Sequence, residues 1–286
     1  MAKYGIPYMG SKDKIADDIL SVLPRGKRFV DLFGGGFAMS HAALLSGKYE
    51  QVFYNELNPL LPKLIKDALA GKYANERRWI SSEDFSRLKD VDGYVRYIWS
   101  FGNQGNAYLF GKDKEHIKKL GHDFVCFGKD IPGVPNIAET DMRVRMLYLQ
   151  RFIKKNTGER CELQELEQFE RLQRLHRLQR LEINCGSYLD YKYQKGDIVY
   201  CDPPYEDTAK YDNDGFNHKQ FYDWVASREY PVYFSSYEIS DNRFNVVWQT
   251  EKQSLLNNSK ETKKVVTEYL YCNKAENPFD YGPLFC

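Results

Sequence analysis

The sequence has 286 residues, which is enough for one large α/β domain or two small ones with a real hydrophobic core. A net charge of +1 neither favours nor excludes nucleic acid as a partner. No apolar run is long enough to span a membrane, and residues 1–10 lack the pattern of a signal peptide. The six cysteines are scattered without a CxxC pair, which predicts a cytoplasmic protein with reduced thiols and without a metal centre.

The first seventy residues alternate between helical and extended patterns. Apolar residues recur at helical spacing over 11–23, 37–46 and 60–69, which predicts three helices. Short apolar runs over 29–33 and 51–55 predict two buried strands between them. Strands that alternate with helices in this order imply a parallel sheet.

The middle of the chain, residues 76–189, does not continue this alternation. It holds a Gly/Asn-rich stretch over 101–111 and a basic segment over 142–155 with a helical pattern. Apolar residues then recur at every third position over 163–181. A helix is the first choice there, because Leu, Gln, Glu and Arg are strong helix formers, although a period of three winds an apolar stripe around a helix. We assign no function to this repeat.

The strand and helix alternation resumes near residue 197. Four strands and one helix are predicted in this part, with the strands at 197–201, 232–235, 246–249 and 265–272 and the helix at 220–226. The turn signal Asn257-Asn258-Ser259 between the last two strands predicts an antiparallel hairpin. The expected architecture is therefore one α/β domain formed by residues 1–75 and 190–286, with residues 76–189 inserted as a separate, mainly helical module.

A first candidate site is the tetrapeptide Asp202-Pro203-Pro204-Tyr205, directly after the predicted strand 197–201. Two consecutive prolines make a rigid turn, and ligands of open α/β folds bind at the carboxyl ends of the strands. The turn offers a carboxylate, the Pro203 carbonyl and an aromatic ring. Together they suit the two N–H donors and the flat face of an adenine. The alternative is a proline-rich turn with a capping Asp.

A second candidate site is the turn Gly34–Gly36, which Asp31 and Phe33 precede. Glycines let a ligand approach the backbone closely. Glu56 follows the second predicted strand, where a carboxylate can accept both ribose hydroxyls of a bound nucleoside. This pairing predicts a cofactor that contains adenosine, and the missing GxGxxG pattern argues against NAD. The turn could also be only a tight connection.

Four segments in order resemble the Dam-like (D12 class) family of DNA adenine-N6 methyltransferases. They are PYMGSK at 7–12, FVDLFGGG at 29–36, YNEL at 54–57 and DPPY at 202–205. The first of them alone would indicate only a helix start with an exposed lysine. The resemblance covers both ends of the chain, roughly residues 4–75 and 195–273, and the family places its target-recognition region between them. It implies an α/β fold with a Rossmann-like methyltransferase sheet and an inserted, mainly helical target-recognition domain.

The resemblance also implies the reaction and its residues. The cofactor would be S-adenosylmethionine, no metal would be needed, and the methyl acceptor would be N6 of an adenine flipped out of double-stranded DNA. Asp at 202 favours adenine, since Ser at this position usually marks cytosine-N4 enzymes. The implied catalytic residues are Asp202, Pro203, Pro204 and Tyr205. The implied cofactor-binding residues are Tyr8, Lys12, Asp31, Phe33, Gly34, Gly35, Gly36, Glu56 and Asp202.

Two stretches of the middle region are candidates for DNA contact. Residues 101–112 resemble a DNA-contacting hairpin of the same family, which points to Asn103, Tyr108 and Lys112. Residues that would read GATC are not evident, so recognition is expected to be either site-specific or relaxed. Arg143 and Arg145 lie in a stretch without acids that could bind phosphates. A flexible loop and a solvated helix face are the alternatives.

Other functions remain open at this stage. A methyltransferase that acts on RNA or on a protein amide would use a related Pro-Pro-Tyr motif, often with Asn first. A protein that binds S-adenosylmethionine or DNA without turnover is a second alternative. A restriction partner or a phage origin concerns genetic context, which a sequence does not show.

Overall fold

The fold is a mixed α/β structure that divides into two compact units. The computed structural model describes residues 3–137, 141–157, 163, 165–166, 180–206, 215–253 and 265–274. The first unit comprises residues 1–5, 11–62 and 178–286, and the second comprises residues 6–10 and 63–177. Within the described residues, no helix is both long and apolar enough to cross a membrane.

The first unit is built on a seven-stranded sheet. Its strands are β1 (Gly26–Asp31), β2 (Tyr49–Glu56), β3 (Leu181–Cys185), β4 (Asp197–Cys201), β5 (Val232–Ser236), β6 (Asn245–Gln253) and β7 (Val265–Cys272). The spatial order is β3-β2-β1-β4-β5-β7-β6. The first five strands are parallel, whereas β7 runs antiparallel to both β5 and β6. The predicted parallel sheet and the predicted antiparallel pairing of the last two strands are both confirmed.

Helices accompany this sheet. They are α1 (Ala16–Val22), α2 (Ala38–Ser46), the start of α3 (Leu60–Leu69) and α8 (His218–Ala226). The second helix ends where Gly47 takes a φ of 64°, a left-handed conformation that glycine adopts without the steric cost of a side chain. The first helix is shorter than predicted, because the backbone turns through residues 13–15 before it begins.

The hydrophobic core beside β4 and β5 is largely aromatic. Phe221 on α8 and Phe234 on β5 are fully buried and pack edge to face. Val30, Val199 and Val232, one from each of three neighbouring parallel strands, are fully buried in the same cluster. Burial on both faces is typical of parallel sheets and explains why these strands are short continuous apolar runs.

The second unit is helical in its described part. It contains the rest of α3 together with α4 (Ser82–Leu88), α5 (Gly93–Ile98), α6 (Glu115–Phe127) and α7 (Met142–Thr157). Asp92 caps α5 by accepting hydrogen bonds from the first backbone N–H groups. Trp99 and His122 are fully buried in its core. The predicted basic helix over 142–155 is confirmed as α7.

Strand β3 was missed by the sequence interpretation. It begins at Leu181, the last member of the apolar repeat, and lies in the range that was assigned to the inserted module. Its outward-facing residues are polar, so its hydrophobic pattern is weak. The helix predicted over 163–181 falls mostly outside the described residues. Leu163 and Leu166, which are described, are buried.

Candidate functional site

The candidate site lies where the strand order of the first unit reverses. Strand β1 lies between β2 and β4. The strands β2 and β3 therefore lie on one side of β1, and β4 and β5 lie on the other side. Asp31 at the end of β1 is level with Tyr54 of β2 and Tyr200 of β4. In open α/β sheets the helices diverge at this point and leave a crevice at the carboxyl ends of the strands. The predicted cofactor and catalytic segments both follow strands that end here.

The glycine-rich turn after β1 is tied closely to β2. The Gly34 N–H donates to the Asn55 carbonyl at 2.8 Å, and the Tyr54 hydroxyl donates to the Gly35 carbonyl at 2.8 Å. A Cβ at Gly34 would lie 2.1 Å from the Tyr54 ring, so only glycine fits there. Gly35 has a φ of 44°, in the left-handed region that favours glycine. The sequence of this turn is therefore required by its backbone and by the neighbouring strand.

Glu56, the predicted ribose-binding residue, lies at the end of β2 and holds this turn. Its Oε2 accepts from the Gly35 N–H at 2.9 Å, and its Oε1 accepts from the Asn58 N–H at 2.9 Å. Burial raises the pKa of Glu56, while backbone hydrogen bonds from Asn58, Gly35 and Leu57 oppose the shift. A carboxylate offers about four acceptor positions, so about one remains for a hydroxyl group of a ligand.

Asp31 is a buried carboxylate with one oxygen in a hydrogen bond. The Ser40 hydroxyl donates to Oδ2 at 2.7 Å, whereas Oδ1 has no hydrogen-bond partner among the described residues. Burial raises the pKa of Asp31 to about 7 against the opposing effect of Ser40, and the negative charges of Asp202 and Glu56 raise it further. A buried acceptor without a donor is costly, which makes Oδ1 a position for a cationic or N–H group of a ligand.

The predicted catalytic turn starts immediately after β4, and its first residue is in an ion pair. Lys12 Nζ lies 2.6 Å from Asp202 Oδ1, and the Lys12 side chain is only 6% exposed. Lys12 was assigned to the cofactor from the sequence, and this role stays a prediction; in the structure its ammonium pairs with the predicted catalytic carboxylate. The side chain of Asp202 is 18% exposed, although its Oδ1 is buried.

A second carboxylate completes this cluster. Glu268 on β7 is 2% exposed, and its Oε1 lies 3.5 Å from Lys12 Nζ and accepts from the Tyr205 hydroxyl at 2.9 Å. The Lys12 ammonium also lies 4.8 Å from the centre of the Tyr205 ring. Burial and the neighbouring carboxylates raise the pKa of Tyr205, so its hydroxyl stays protonated and acts as the donor.

The remaining contacts of the turn fix its backbone and its aromatic ring. His218, the first residue of α8, has Nε2 at 2.8 Å from the Pro204 carbonyl. Tyr237 packs edge to face on Tyr205, with ring centres 4.7 Å apart. The Pro203 side chain is buried. The turn is thus held on both sides, which favours a fixed geometry of the carboxylate and the ring.

The other predicted cofactor-binding residues have different surroundings. Phe33 is half-buried, and its ring packs against Tyr188, Phe216 and Phe221. Tyr8 belongs to the second unit, where its ring packs against Tyr97 with centres 5.5 Å apart.

In the second unit, the segment predicted to contact DNA forms a closed loop. The backbone of Ser100 pairs with that of Tyr108 in an antiparallel bridge. Asn103 Nδ2 donates to the Tyr97 carbonyl at 2.7 Å, and the Tyr108 hydroxyl donates to the Ile80 carbonyl at 2.7 Å. The side chains of Asn103 and Tyr108 therefore brace the loop from within, while Lys112 just after it is exposed.

The two candidate arginines of α7 differ in burial. Arg143 is exposed, in the first turn of the helix that Asp141 caps through backbone N–H groups. Arg145 is buried, and its Nε donates to the Val125 carbonyl at 2.8 Å. The expectation that Arg145 presents its charge to DNA needs correction, because its guanidinium joins α7 to the end of α6.

Sequence reasoning did not single out Glu268, Ser40 or His218. One signal for Glu268 was available. Strand residues alternate between two faces, and Glu268 shares a face with Leu270 and Cys272, which are buried. A charged residue in a buried register position points to a partner or a function. No comparable signal marked His218, because its partner is a backbone carbonyl.

Comparisons with known proteins identify the family of the chain. A family model described as D12 class N6 adenine-specific DNA methyltransferase matches residues 8–157. Among solved structures, a candidate methylase from Haemophilus influenzae aligns at 12% identity with a TM-score of 0.34, over 93% of this chain and 91% of that chain. No curated protein matches the sequence significantly. Because the family model covers more than half of the sequence, the chain belongs to the D12 class of N6 adenine-specific DNA methyltransferases.

Proposed function

We propose that the crevice at the carboxyl ends of β1, β2 and β4 binds S-adenosylmethionine and a flipped-out adenine, and that the adenine receives the methyl group on N6. The observation that carries this proposal is the position of Asp202. It follows the strand next to β1, so its carboxylate and the glycine-rich turn belong to one sheet edge at the reversal of strand order.

The described residues fit the cofactor in charge and in hydrogen bonding. The buried Oδ1 of Asp31, which lacks a donor, suits the ammonium group of the methionine part. The remaining acceptor position of Glu56 suits a ribose hydroxyl. The exposed side of Phe33 offers a flat apolar surface for the adenosine ring. When bound, S-adenosylmethionine supplies an electrophilic methyl group on a positively charged sulfur.

The roles of the catalytic turn follow from the chemistry of an exocyclic amine. Adenine N6 is a weak nucleophile, because its lone pair is delocalised into the ring. Asp202 and the Pro203 carbonyl would accept its two N–H donors and hold it in line with the methyl group. As N6 bonds to the methyl group, the bond from that methyl to sulfur would break, sulfur would leave as a neutral thioether, and N6 would then release one proton to solvent. The carboxylate of Asp202 would stabilise the positive charge that N6 gains in the transition state more than it stabilises the ground state. The Tyr205 ring would stack on the base. Flipping the base out of the duplex costs roughly a few kcal/mol, and this stacking would offset part of that cost.

The second unit is proposed to act as the target-recognition domain. Lys112 and Arg143 are exposed cations and would contact phosphates, which position a protein on a duplex without reading its sequence. Asn103 and Tyr108 would keep the loop between them in a fixed shape. Whether recognition is site-specific or relaxed depends on contacts with base edges, which sequence context in the methylated product would reveal.

The first prediction concerns the reaction itself. The protein is incubated with labelled S-adenosylmethionine and unmethylated duplex DNA, and the digested DNA is analysed for the modified base. We expect N6-methyladenine with the wild type. In Asp202→Ala the loss of the carboxylate should lower kcat by at least about a hundredfold, while cofactor affinity measured by calorimetry should change less than about threefold, which is within 1 kcal/mol.

The matched control is Asp18→Ala, an exposed carboxylate on α1, which should leave both quantities unchanged. An equal loss of turnover and cofactor affinity in Asp202→Ala would contradict the assigned role. Cofactor binding by the wild type without a label in DNA would redirect the search to RNA, to a protein amide or to a binding role without turnover.

A further inference from the structure

Glu268 is a buried charged group of the site that the assigned catalytic and cofactor roles do not include. It lies in the middle of β7, opposite Thr250 of β6. Because β7 runs antiparallel to β5 and Tyr269 pairs with Ser236, the last residue of β5, Glu268 lies just beyond the carboxyl end of β5. A carboxylate that is 2% exposed is costly unless it is paired, so its partners indicate why it is there.

Glu268 contacts Lys12, which also pairs with Asp202, and Tyr205, whose ring is proposed to stack on the base. Its Oε1 accepts from the Tyr205 hydroxyl at 2.9 Å and lies 3.5 Å from Lys12 Nζ. The same ammonium lies 2.6 Å from Asp202 Oδ1. An ammonium has three donors, so it can serve both carboxylates at once. Glu268 therefore shares the cation of Asp202 and fixes the orientation of Tyr205.

We propose that Glu268 is a positioning residue for methyl transfer, which keeps the Lys12 ammonium from neutralising Asp202 and holds Tyr205 in place. This inference rests on the proposed function. Because both carboxylates contact the Lys12 ammonium, its positive charge is divided between them instead of being directed at Asp202 alone. Asp202 then keeps more of its negative charge to stabilise the positive charge that develops on N6.

The charge of Glu268 and its shape can be tested separately. Glu268→Gln keeps the length of the side chain and an acceptor for Tyr205 but removes the charge. Glu268→Asp keeps the charge but shortens the side chain by one methylene. If charge matters, kcat should fall at least tenfold in Glu268→Gln and less in Glu268→Asp, with the KM for S-adenosylmethionine within about threefold of wild type. A purely structural role predicts the reverse order, because Gln preserves the packing better.

The experiment measures kcat and KM for both variants and for Glu251→Gln, an exposed acid on the neighbouring strand β6 that should behave like wild type. Melting temperatures identify any variant that fails to fold. Wild-type kcat in Glu268→Gln, or a lower kcat in Glu268→Asp than in Glu268→Gln, would overturn the inference. Absence of methylation by the wild type would count against the proposed function instead.

A readout that needs no turnover is the reactivity of Lys12. A neighbouring carboxylate favours the charged, unreactive ammonium. Reductive methylation with formaldehyde and a borohydride reductant, followed by mass spectrometry of the Lys12 peptide, should therefore proceed at least several-fold faster in Glu268→Gln than in Glu268→Asp. Equal rates in the two variants would show that Lys12 does not depend on the charge of Glu268 and would overturn the inference.

Discussion

At the scale of single residues, the unusual feature of the site is a carboxylate buried without a full set of donors. Burial raises the pKa of Asp31 from 3.8 to about 7, although the Ser40 hydroxyl opposes this shift. Near neutral pH, Asp31 is therefore divided between its protonated and charged forms. Only the charged form attracts an ammonium group, so ligand binding at Asp31 is expected to depend on pH.

We predict that affinity for S-adenosylmethionine rises with pH because of Asp31. The ionised fraction of an acid with a pKa of about 7 rises from about a tenth at pH 6 to about a half at pH 7, where the α-amino group of the cofactor is still mostly protonated, so Kd should fall by about fivefold over this interval. Titration calorimetry at several pH values measures it. Asp31→Asn should bind more weakly and show no such dependence, and a Kd that stays constant in the wild type would contradict the assignment.

The free energy of unfolding gives an independent test of the raised pKa of Asp31, because it should fall with pH whereas cofactor affinity should rise. An acid whose pKa is raised on folding holds its proton more tightly in the native state than in the unfolded chain. Its contribution to the free energy of unfolding is present below about pH 4 and is lost as pH rises to about 7. Urea unfolding across this window should show the decline in the wild type relative to Asp31→Asn. A constant difference between the two proteins would argue against a raised pKa.

At the scale of elements, the glycine-rich turn depends on a residue far from it in sequence. Gly5 has a φ of 65°, and a Cβ there would lie 2.3 Å from the Gly36 carbonyl oxygen and 2.8 Å from the Ala38 nitrogen. Both neighbours are backbone atoms that cannot rotate away. Gly47 at the end of α2 has nearly the same φ of 64° but nothing within 4 Å of such a Cβ. An alanine at Gly47 would therefore suffer only backbone strain, whereas an alanine at Gly5 would suffer both backbone strain and steric overlap.

We predict that Gly5→Ala is more damaging than Gly47→Ala. The left-handed conformation should cost about 1 kcal/mol in each variant. The overlap in Gly5→Ala should add about 1–3 kcal/mol and displace Gly36, so cofactor affinity should also fall at least about tenfold. Urea unfolding and calorimetry on both variants measure these quantities. Equal destabilisation, or intact cofactor affinity in Gly5→Ala, would show that the turn adapts.

The same comparison explains which elements the sequence could predict. The strands β1, β2 and β4 are short apolar runs before a glycine, an acid or a proline, and such signals are local. Strand β3 was missed because its side chains are mostly polar, and its place in the sheet depends on pairing with β2. Pairing between distant segments leaves little trace in a single sequence.

The side chains of the site divide in a similar way. The positions of Asp31, Glu56 and Asp202 follow from the rule that parallel strands end at one edge. The ion pair of Lys12 with Asp202 and the contact of Lys12 with Glu268 join residues 190 or more positions apart, which only the folded chain brings together. Only the structure shows that the Lys12 ammonium contacts the carboxylates of Asp202 and Glu268.

At the scale of the whole molecule, the net charge of +1 is too small to draw the protein to DNA by itself. Binding must then depend on a few exposed cations, since each phosphate contact releases counterions. In the second unit, α7 offers a matched pair two residues apart. Arg143 is exposed at the start of the helix, whereas Arg145 is buried and donates to the Val125 carbonyl.

We predict that the two arginines have separate effects. Arg143→Ala should weaken DNA binding on all sequences and reduce the slope of log K against log salt by about 1, with stability unchanged. Arg145→Ala should leave a buried carbonyl without its donor and lower the free energy of unfolding by about 1–3 kcal/mol, with the salt slope unchanged. Fluorescence anisotropy at several salt concentrations and urea unfolding measure the two effects. An unchanged salt slope in Arg143→Ala would remove α7 from the DNA interface, and a reduced slope in folded Arg145→Ala would show that its side chain turns outward on binding.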